Sequence, residues 1–307
     1  LTYYEYTGDK AFLEKVYDAS LDYLKLWEIG ENNLVVHRGG SWDWADWGKK
    51  SDMTAIENAW VYYALSATEK MAEILNKDND ISFISERKNT ISKGYKTLWT
   101  EEGFKSNDVR KPDDRANALA VLSGLAEKEQ YDTITNVLIS IKNSSPYMEY
   151  YVLEALCKMN KYEAAKDRIK DRYKDMMSED YSTLWEFWDS WRGTKNHAWS
   201  GGSLVIMSKH FAGITPLEAG YEKIKIDPQY NLSDNLNCTV PSIKGLVPLD
   251  YEKNSDNYII NLTVPNGLKT VLHVPSNAVV NINSEVYYQN DNYLNGDVEV
   301  VEKTIGN

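Results

Sequence analysis

Four tryptophans, two carboxylates and one histidine lie within a single stretch of this chain, STLWEFWDSWRGTKNHAWSGG at 182–202. We call it the second tryptophan segment, because a similar cluster precedes it in the chain. Glu186 stands between Trp185 and Phe187, and a carboxylate among aromatic rings loses water. A fold can use that loss to prepare a carboxyl group for proton transfer near neutral pH. On a helix, Glu186 and Asp189 would share a face. The alternative is a buried acid satisfied by backbone N–H groups at the start of a helix.

A comparable cluster, GGSWDWADWGKKSD at 39–52, alternates tryptophan with aspartate between glycines, and we call it the first tryptophan segment. Glycines suit a loop with unusual backbone angles. A sugar ring can stack on an indole while neighbouring carboxylates accept hydrogen bonds from its hydroxyls. The candidate sugar contacts here are Asp43, Trp44, Asp46 and Trp47. A purely structural tryptophan loop is the alternative, but two such segments indicate a sugar site better than either alone.

Two further groups of residues stand near these clusters. His197 follows the acids of the second segment and could donate to a sugar hydroxyl or orient Glu186. The other three histidines lack such neighbours and are interpreted as structural: His37, His210 and His273. The run Asp113, Asp114 and Arg115 precedes a helix, where acids complement the helix dipole. It could instead be an ion pair that supports the site from behind.

Composition limits the classes of partner. The 307 residues carry a formal net charge of −12, which argues against nucleic acid as a partner. No apolar run approaches the roughly 20 residues that span a bilayer. Cys157 and Cys238 fall in segments assigned to different domains, so we expect two unpaired thiols, and no Cys/His spacing indicates zinc. We therefore expect neither a metal nor a cofactor.

The order of patterns predicts two domains. Residues 1–215 follow helical spacing and contain all ten tryptophans, with about eight helices joined by short turns. Residues 216–307 alternate apolar and polar residues between turn residues, as in an antiparallel β-sandwich. We expect this second domain to be structural. A carbohydrate-binding module is the alternative, for which only Tyr287, Tyr288 and Tyr293 could serve.

The second tryptophan segment and its continuation, NHAWSGGSLVIMSKHFAGITPLEAGYEKIKIDP, resemble the end of the catalytic domain of bacterial α-L-rhamnosidases of glycoside hydrolase family 78. YTGDKAFLEKVY and WADWG resemble upstream parts of the same domain. The resemblance implies an (α/α)6 barrel, incomplete at its N-terminal side, followed by an antiparallel β-sandwich. It also implies inverting hydrolysis of terminal α-L-rhamnosides.

Site roles follow from the same resemblance. Glu186 matches the general base, Asp46 matches an aspartate that binds sugar hydroxyls, with Asp43 as the less certain candidate, and His197 matches a histidine that contacts substrate. Aromatic walls against the sugar would come from Trp185, Trp188 and the loop that holds Trp44 and Trp47.

The family's general acid lies in a motif that this sequence does not contain, so we expect it upstream of Leu1 in the remainder of the same polypeptide. The chain alone would then be slow or inactive. The expected partner is a carbohydrate, a rhamnosylated glycan or glycoside. The localisation stays open, with a preference for periplasmic or extracellular over cytoplasmic.

Two other functions compete with this one. Another (α/α)6 glycosidase could act on a different sugar, because fold does not fix function. A non-catalytic sugar-binding remnant of an enzyme would bind a ligand without turnover.

Overall fold

A computed structural model describes residues 1–40, 45–48, 50–177, 181–255, 257–276, 278–283, 285–288, 293–295 and 298–303. The chain divides into two compact units. One comprises Leu1 and Leu13–Ser203, and the other comprises Thr2–Phe12 and Leu204–Asn307. The predicted domain boundary between residues 215 and 216 stays a prediction. Compact units of a structure need not coincide with domains that fold independently.

The helical part follows the pattern that the sequence predicts. Asp9 accepts a hydrogen bond from the Phe12 N–H, and Asp52 caps the long third helix through the Ala55 N–H. Asn160, at φ 60°, makes the predicted turn between the seventh and eighth helices. The α-helices among the described residues are α1 (Thr2–Thr7), α2 (Lys10–Lys25), α3 (Met53–Leu75), α4 (Asp78–Lys96), α5 (Asp114–Ser123), α6 (Tyr131–Ser140), α7 (Pro146–Lys158), α8 (Tyr162–Tyr173) and α9 (Gly202–Ile206).

Helix α5 lies at the centre of the first unit. All ten of its residues are buried, and it packs against α3, α6 and α7. Helices α3 and α4 form one antiparallel neighbour pair, and α7 packs on α8. Asp114 and Arg115 are buried with the apolar residues of α5, so this helix brings charge into the core. Buried charges need partners, and these partners form the framework of the site described below.

A short hairpin and two larger sheets contain the strands. In the first unit, β1 (Trp99–Thr100) pairs with β2 (Gly103–Phe104). The described residues of the second unit form two five-stranded sheets, in the orders β10-β9-β7-β6-β5 and β11-β12-β8-β4-β3. Their bounds are β3 (Ile214–Pro216), β4 (Lys223–Ile226), β5 (Asn235–Ser242), β6 (Gly245–Asn254), β7 (Asn257–Leu262), β8 (Lys269–Pro275), β9 (Ala278–Ile282), β10 (Glu285–Tyr288), β11 (Tyr293–Asn295) and β12 (Val298–Lys303).

Both sheets contribute to one hydrophobic core, as the predicted sandwich requires. Ile224 and Leu272 from one sheet belong to the same buried cluster as Leu249 and Ile260 from the other. The sheets are mixed and not purely antiparallel, because β7 pairs with β9, and β8 with both β4 and β12, in parallel. Alternation of apolar and polar residues specifies a half-buried strand, but it does not specify the direction of the neighbouring strand.

Helix α1 belongs to the second unit through a close backbone approach. A Cβ on Gly8 would lie 3.3 Å from the Cα of Gly220, and both glycines have positive φ. The rings of Tyr6 and Tyr221 meet edge to face at 5.7 Å beside this contact. Glycine permits both the backbone angles and the approach.

Cys157 and Cys238 form no disulfide bond, as predicted. None of the described helices is long and apolar enough to cross a membrane.

Candidate active site

Residues 182–197 form a loop that we call the Glu186 loop. They adopt bends and turns, so Glu186 and Asp189 do not share the face of a helix. Two backbone hydrogen bonds close the loop, from the Glu186 N–H to the Thr194 carbonyl at 3.0 Å and from the His197 N–H to the Leu184 carbonyl at 2.9 Å. Gly193, at φ 59°, supplies the left-handed turn that reverses the chain.

The Glu186 carboxylate is held by one oxygen and open at the other. Its Oε2 accepts from the Thr194 N–H at 3.0 Å and from the Thr194 hydroxyl at 3.2 Å. No described residue donates a hydrogen bond to Oε1. The Trp199 indole donates to the backbone carbonyl of Glu186 at 3.2 Å. The side chain is half buried, less desolvated than the sequence suggested, and one oxygen is left to accept a proton.

Gly193 packs directly against this carboxylate. A Cβ on Gly193 would lie 2.7 Å from Glu186 Oε2 and 2.6 Å from a ring carbon of Phe187. No side chain fits there without moving the acid. The glycine therefore serves both the reversal of the loop and the position of the carboxylate.

Asp189 points to a different partner. It forms an ion pair with Arg192, with Nη2 at 2.7 Å from Oδ2, and this hydrogen bond lowers the pKa of the Asp189 carboxyl. The Arg192 guanidinium lies over the rings of Phe187 and Trp191 at 4.6 and 4.9 Å. The pair therefore braces the tip of the loop.

The tryptophans predicted as walls of the sugar site have different surroundings. Trp185 is 3% exposed and packs on Tyr181 with ring centroids 4.8 Å apart. Trp188 is half buried and donates its indole N–H to the Ser144 carbonyl at 2.7 Å. Trp47 is 42% exposed and lies 5.9 Å from the Phe187 ring, so the two tryptophan segments do meet. Trp44 and Asp43 lie outside the described residues.

The Asp46 carboxylate has no exposed surface. Its Oδ2 accepts from Arg115 Nη1 at 3.0 Å and from the Ser145 N–H at 2.9 Å, and its Oδ1 accepts from the Ser145 hydroxyl. Gly48 passes close by, since a Cβ there would lie 2.0 Å from the Asn143 carbonyl oxygen. Both oxygens of Asp46 thus have partners in the protein, and its contact with a sugar hydroxyl stays a prediction.

Asp113, Asp114 and Arg115 fulfil both interpretations offered by the sequence. Asp113 caps α5, and it also binds Arg115 through Nε and Nη2 at 2.8 and 2.7 Å. Asp114 accepts from Arg168 Nη2 at 2.9 Å. Burial raises the pKa of Asp114, and the Arg168 charge opposes the shift. An ion pair therefore exists here and reaches Asp46, and its support of a sugar site stays a prediction.

Ser144 and Ser145, which we call the serine pair, connect the two tryptophan segments. Ser145 binds Asp46 of the first segment, and the Ser144 carbonyl binds Trp188 of the second. The Ser144 hydroxyl donates to Glu149 at 2.6 Å, and its N–H donates to Asp114 at 3.3 Å. This role was missed in the sequence. The only signal was KNSSP before α7, where serine and proline mark the start of a helix.

His197 stacks on Trp199 with ring centroids 3.9 Å apart. Its Nδ1 is buried, and no atom of the described residues hydrogen-bonds it. A buried ring nitrogen without a partner is costly and calls for a water or a ligand group. This arrangement is compatible with the predicted contact to substrate, which stays a prediction.

A groove of about 430 Å³ opens in the same unit. Aromatic side chains of Trp27, Trp60 and Tyr147 line it, together with Arg38 and Glu57. The size and the mixture of aromatic and polar groups suit a sugar-sized ligand. The Tyr147 ring lies 5.6 Å from the Trp199 ring, and the Trp199 indole donates to the Glu186 carbonyl, so these two rings connect the wall of the groove to the Glu186 loop. Sequence analysis missed this groove because its residues come from separate elements.

Glu57 is the acid of this groove. It is 14% exposed and lies 2.7 Å from Nδ1 of His37. The described residues include no cluster of three or more metal-ligating side chains.

Comparison with known protein families shows to which family this chain belongs. Residues 1–210 match the model of the bacterial alpha-L-rhamnosidase 6 hairpin glycosidase domain, and residues 213–289 match the bacterial alpha-L-rhamnosidase C-terminal domain. The chain belongs to the bacterial α-L-rhamnosidase family. The fold expected from the resemblance, a six-hairpin α/α barrel domain followed by a sheet domain, is thereby confirmed.

Individual relatives agree with the family match. The curated alpha-L-rhamnosidase of Formosa agariphila is 21% identical over 95% of this chain. The crystal structure of a GH78 family rhamnosidase of Bacillus sp. GL1 matches 98% of the chain with a TM-score of 0.73 at 20% identity. The Streptomyces avermitilis α-L-rhamnosidase complexed with L-rhamnose matches 91% with a TM-score of 0.69 at 19% identity. The chain spans 34%, 33% and 28% of these three proteins.

Proposed function

We propose that this chain carries the general base and part of the sugar site of an inverting α-L-rhamnosidase. The observation that carries the proposal is the Glu186 carboxylate, which Thr194 fixes through Oε2 and whose Oε1 accepts no hydrogen bond from the described residues. A general base needs an oriented carboxylate with an open acceptor. Family membership supplies the sugar class, and one similar protein has been solved with L-rhamnose.

In the proposed reaction, Glu186 removes a proton from a water molecule as that water attacks the anomeric carbon. A general acid protonates the glycosidic oxygen on the opposite side, and the C–O bond to the leaving group breaks. Inversion requires the two carboxyl groups roughly 6.5–9.5 Å apart, so that the water fits between them. We propose that the acid comes from a part of the polypeptide upstream of Leu1.

The groups that we propose for binding of the sugar differ in their exposure. Trp47 and the aromatic wall of the groove offer faces for the C–H surface and the methyl group of rhamnose. His197 Nδ1 offers a hydrogen bond to a hydroxyl. Asp46 acts through Arg115 and Ser145, by fixing the loop that carries Trp47. Asp43 and Trp44 complete the set as proposed sugar contacts.

The test is release of p-nitrophenol from p-nitrophenyl α-L-rhamnoside, by this chain and by a version extended upstream of Leu1. We expect turnover by the extended version and little or none by the chain alone. A panel of other p-nitrophenyl glycosides serves as the control for sugar specificity. Turnover of another glycoside in place of the rhamnoside would favour a different specificity. Rhamnose binding without turnover by either version would favour the non-catalytic remnant.

A further inference from the structure

The Glu186 loop contains no helix or strand between residues 182 and 197, so its position depends on a few anchors. Segments with few packed contacts open locally at low free-energy cost. General-base catalysis tolerates little displacement, because a carboxylate must stay within hydrogen-bond reach of its water. Whatever fixes the loop to the helices therefore controls the reaction.

One anchor joins the loop both to α8 and to the connection before α7. The Trp188 indole N–H donates to the Ser144 carbonyl at 2.7 Å, and Arg172 Nη2 donates to the same carbonyl at 2.6 Å. The Arg172 guanidinium lies over the Trp188 ring at 4.1 Å from its centroid. Tyr173 packs edge to face on that ring at 5.0 Å. Trp188 is thus held by one hydrogen bond and two ring contacts.

The acceptor of this anchor is itself fixed. The Ser144 hydroxyl donates to Glu149 at 2.6 Å and lies 3.1 Å from Arg168 Nη2, and the Ser144 N–H donates to Asp114 at 3.3 Å. Every polar atom of Ser144 therefore has a partner. A rigid carbonyl with two donors can fix a loop better than a mobile one could.

Arg172 suits this position for physical reasons. Its side chain is 12% exposed, so its contacts are little screened by water. A planar guanidinium can stack on an indole and donate a charge-assisted hydrogen bond from its edge. Glu149, 3.5 Å from Arg172 Nε, supplies the compensating charge. Lysine could keep the charge but could not reproduce both contacts.

We propose that Arg172 is a positioning residue of the Glu186 loop: it clamps Trp188 against the Ser144 carbonyl and thereby sets the place of the Glu186 carboxylate. The effect on catalysis rests on the proposed function, but the effect on the loop does not. Arg172 touches neither substrate nor reacting atoms in this scheme.

Amide hydrogen exchange of this chain, measured by mass spectrometry without substrate, tests the clamp. Three loop amides report on it, because Glu186, Thr194 and His197 each donate a backbone hydrogen bond within the loop. In Arg172→Ala we expect these amides to exchange about tenfold faster, since a charge-assisted hydrogen bond is lost. We expect millimolar guanidinium ion to restore part of the protection by filling the vacated position. The exposed Arg110→Ala is the matched control and should leave the loop unchanged.

Two results would overturn the clamp. One is exchange of the loop amides at the wild-type rate in Arg172→Ala. The other is an equal increase in α5 and in the loop, because this would report general destabilisation. If Arg172→Ala does not fold, Trp188→Phe removes the indole N–H and keeps a smaller aromatic ring for the contacts with Arg172 and Tyr173. Wild-type loop exchange in Trp188→Phe then counts against the proposal.

Kinetics separate this proposal from the proposed function. In a version that hydrolyses the rhamnoside, Arg172→Lys should lower kcat about tenfold with little change in KM, since positioning of the base acts on the chemical step. A rise in KM alone would contradict the positioning role. If no version turns over, the proposed function fails, while the exchange experiment still decides whether the clamp exists.

Discussion

Asp46 and Glu186 both stand among tryptophans in the sequence, yet their carboxylates lie in different surroundings. Asp46 is fully buried, and both of its oxygens accept hydrogen bonds from Arg115 and Ser145. Glu186 is half buried, and one of its oxygens accepts no hydrogen bond within the described part of the chain. An acid with all its acceptors used stabilises a loop, whereas an acid with an open oxygen can take a proton. The same sequence pattern therefore supports two kinds of work.

The largest effect on activity is expected at Glu186, the carboxylate with the open oxygen. Glu186→Gln keeps the shape and removes the base, so turnover should fall about 10²–10⁴-fold in a version that hydrolyses the rhamnoside. The melting temperature should change little, because the hydrogen bonds from Thr194 can remain. Asp189→Asn in the same loop is the control, with activity within a few fold. Retained turnover with a large drop in melting temperature would make Glu186 structural instead.

For Asp46 we expect the main effect of a substitution on stability and not on turnover. Asp46→Asn leaves Arg115 with one buried carboxylate partner fewer, at a cost of about 3–5 kcal/mol in the free energy of unfolding. Urea unfolding measures it. Asp132→Asn, an 89% exposed acid that pairs with Lys161, should cost no more than about 1 kcal/mol. An unchanged stability together with a raised KM would show that Asp46 acts on the sugar directly.

Glu149 is a second buried carboxylate, and its contribution to stability should depend on pH. Burial alone would raise the pKa of this carboxyl, but the Arg168 and Arg172 charges and the Ser144 hydroxyl outweigh it and lower the pKa below its ordinary 4.5. The stability that Glu149 contributes is then present above that value and is lost as the pH falls through the folded-state pKa.

Glu149→Gln should therefore cost about 3–5 kcal/mol at neutral pH. Its difference from the wild type should narrow below about pH 4.5. Urea midpoints of both proteins at several pH values check this expectation. If the difference in stability between Glu149→Gln and the wild type stayed constant across the acid range, the charge of Glu149 would not be the source of its stabilising effect on the serine pair.

Gly193 tests how closely the activity depends on the position of the half-buried Glu186 carboxylate. Gly193→Ala places a methyl group 2.7 Å from Glu186 Oε2 at a residue with positive φ. We expect a loss of about 1–2 kcal/mol in stability and a fall in kcat on the order of 10²-fold from the displaced base. Gly201→Ala is the control, since nothing lies within 4 Å of its Cβ position. Equal kcat in both variants would mean that the loop adjusts without moving Glu186.

Local signals predicted much of the fold. Asp9, the long period of α3 and the turn at Asn160 act within a few residues, so the sequence displays them directly. The conformation of the Glu186 loop was left open, because residue spacing alone does not reveal the hydrogen bonds between Glu186 and Thr194. The sequence did not predict the buried partner of Asp46, because Arg115 lies 69 residues away. Pairings across such separations arise from tertiary packing, and no local pattern encodes them.

The contact between Gly8 and Gly220 has a consequence for synthesis of the chain. Helix α1 packs on residues Ala219–Tyr221, which leave the ribosome about 210 residues later. At 5–20 residues per second this is a delay of roughly 10–40 s, during which α1 has no partner. Such a non-local contact also slows folding, because a long stretch of chain must be ordered before the contact forms. Chaperone dependence and sensitivity to translation rate should therefore be concentrated in this first helix.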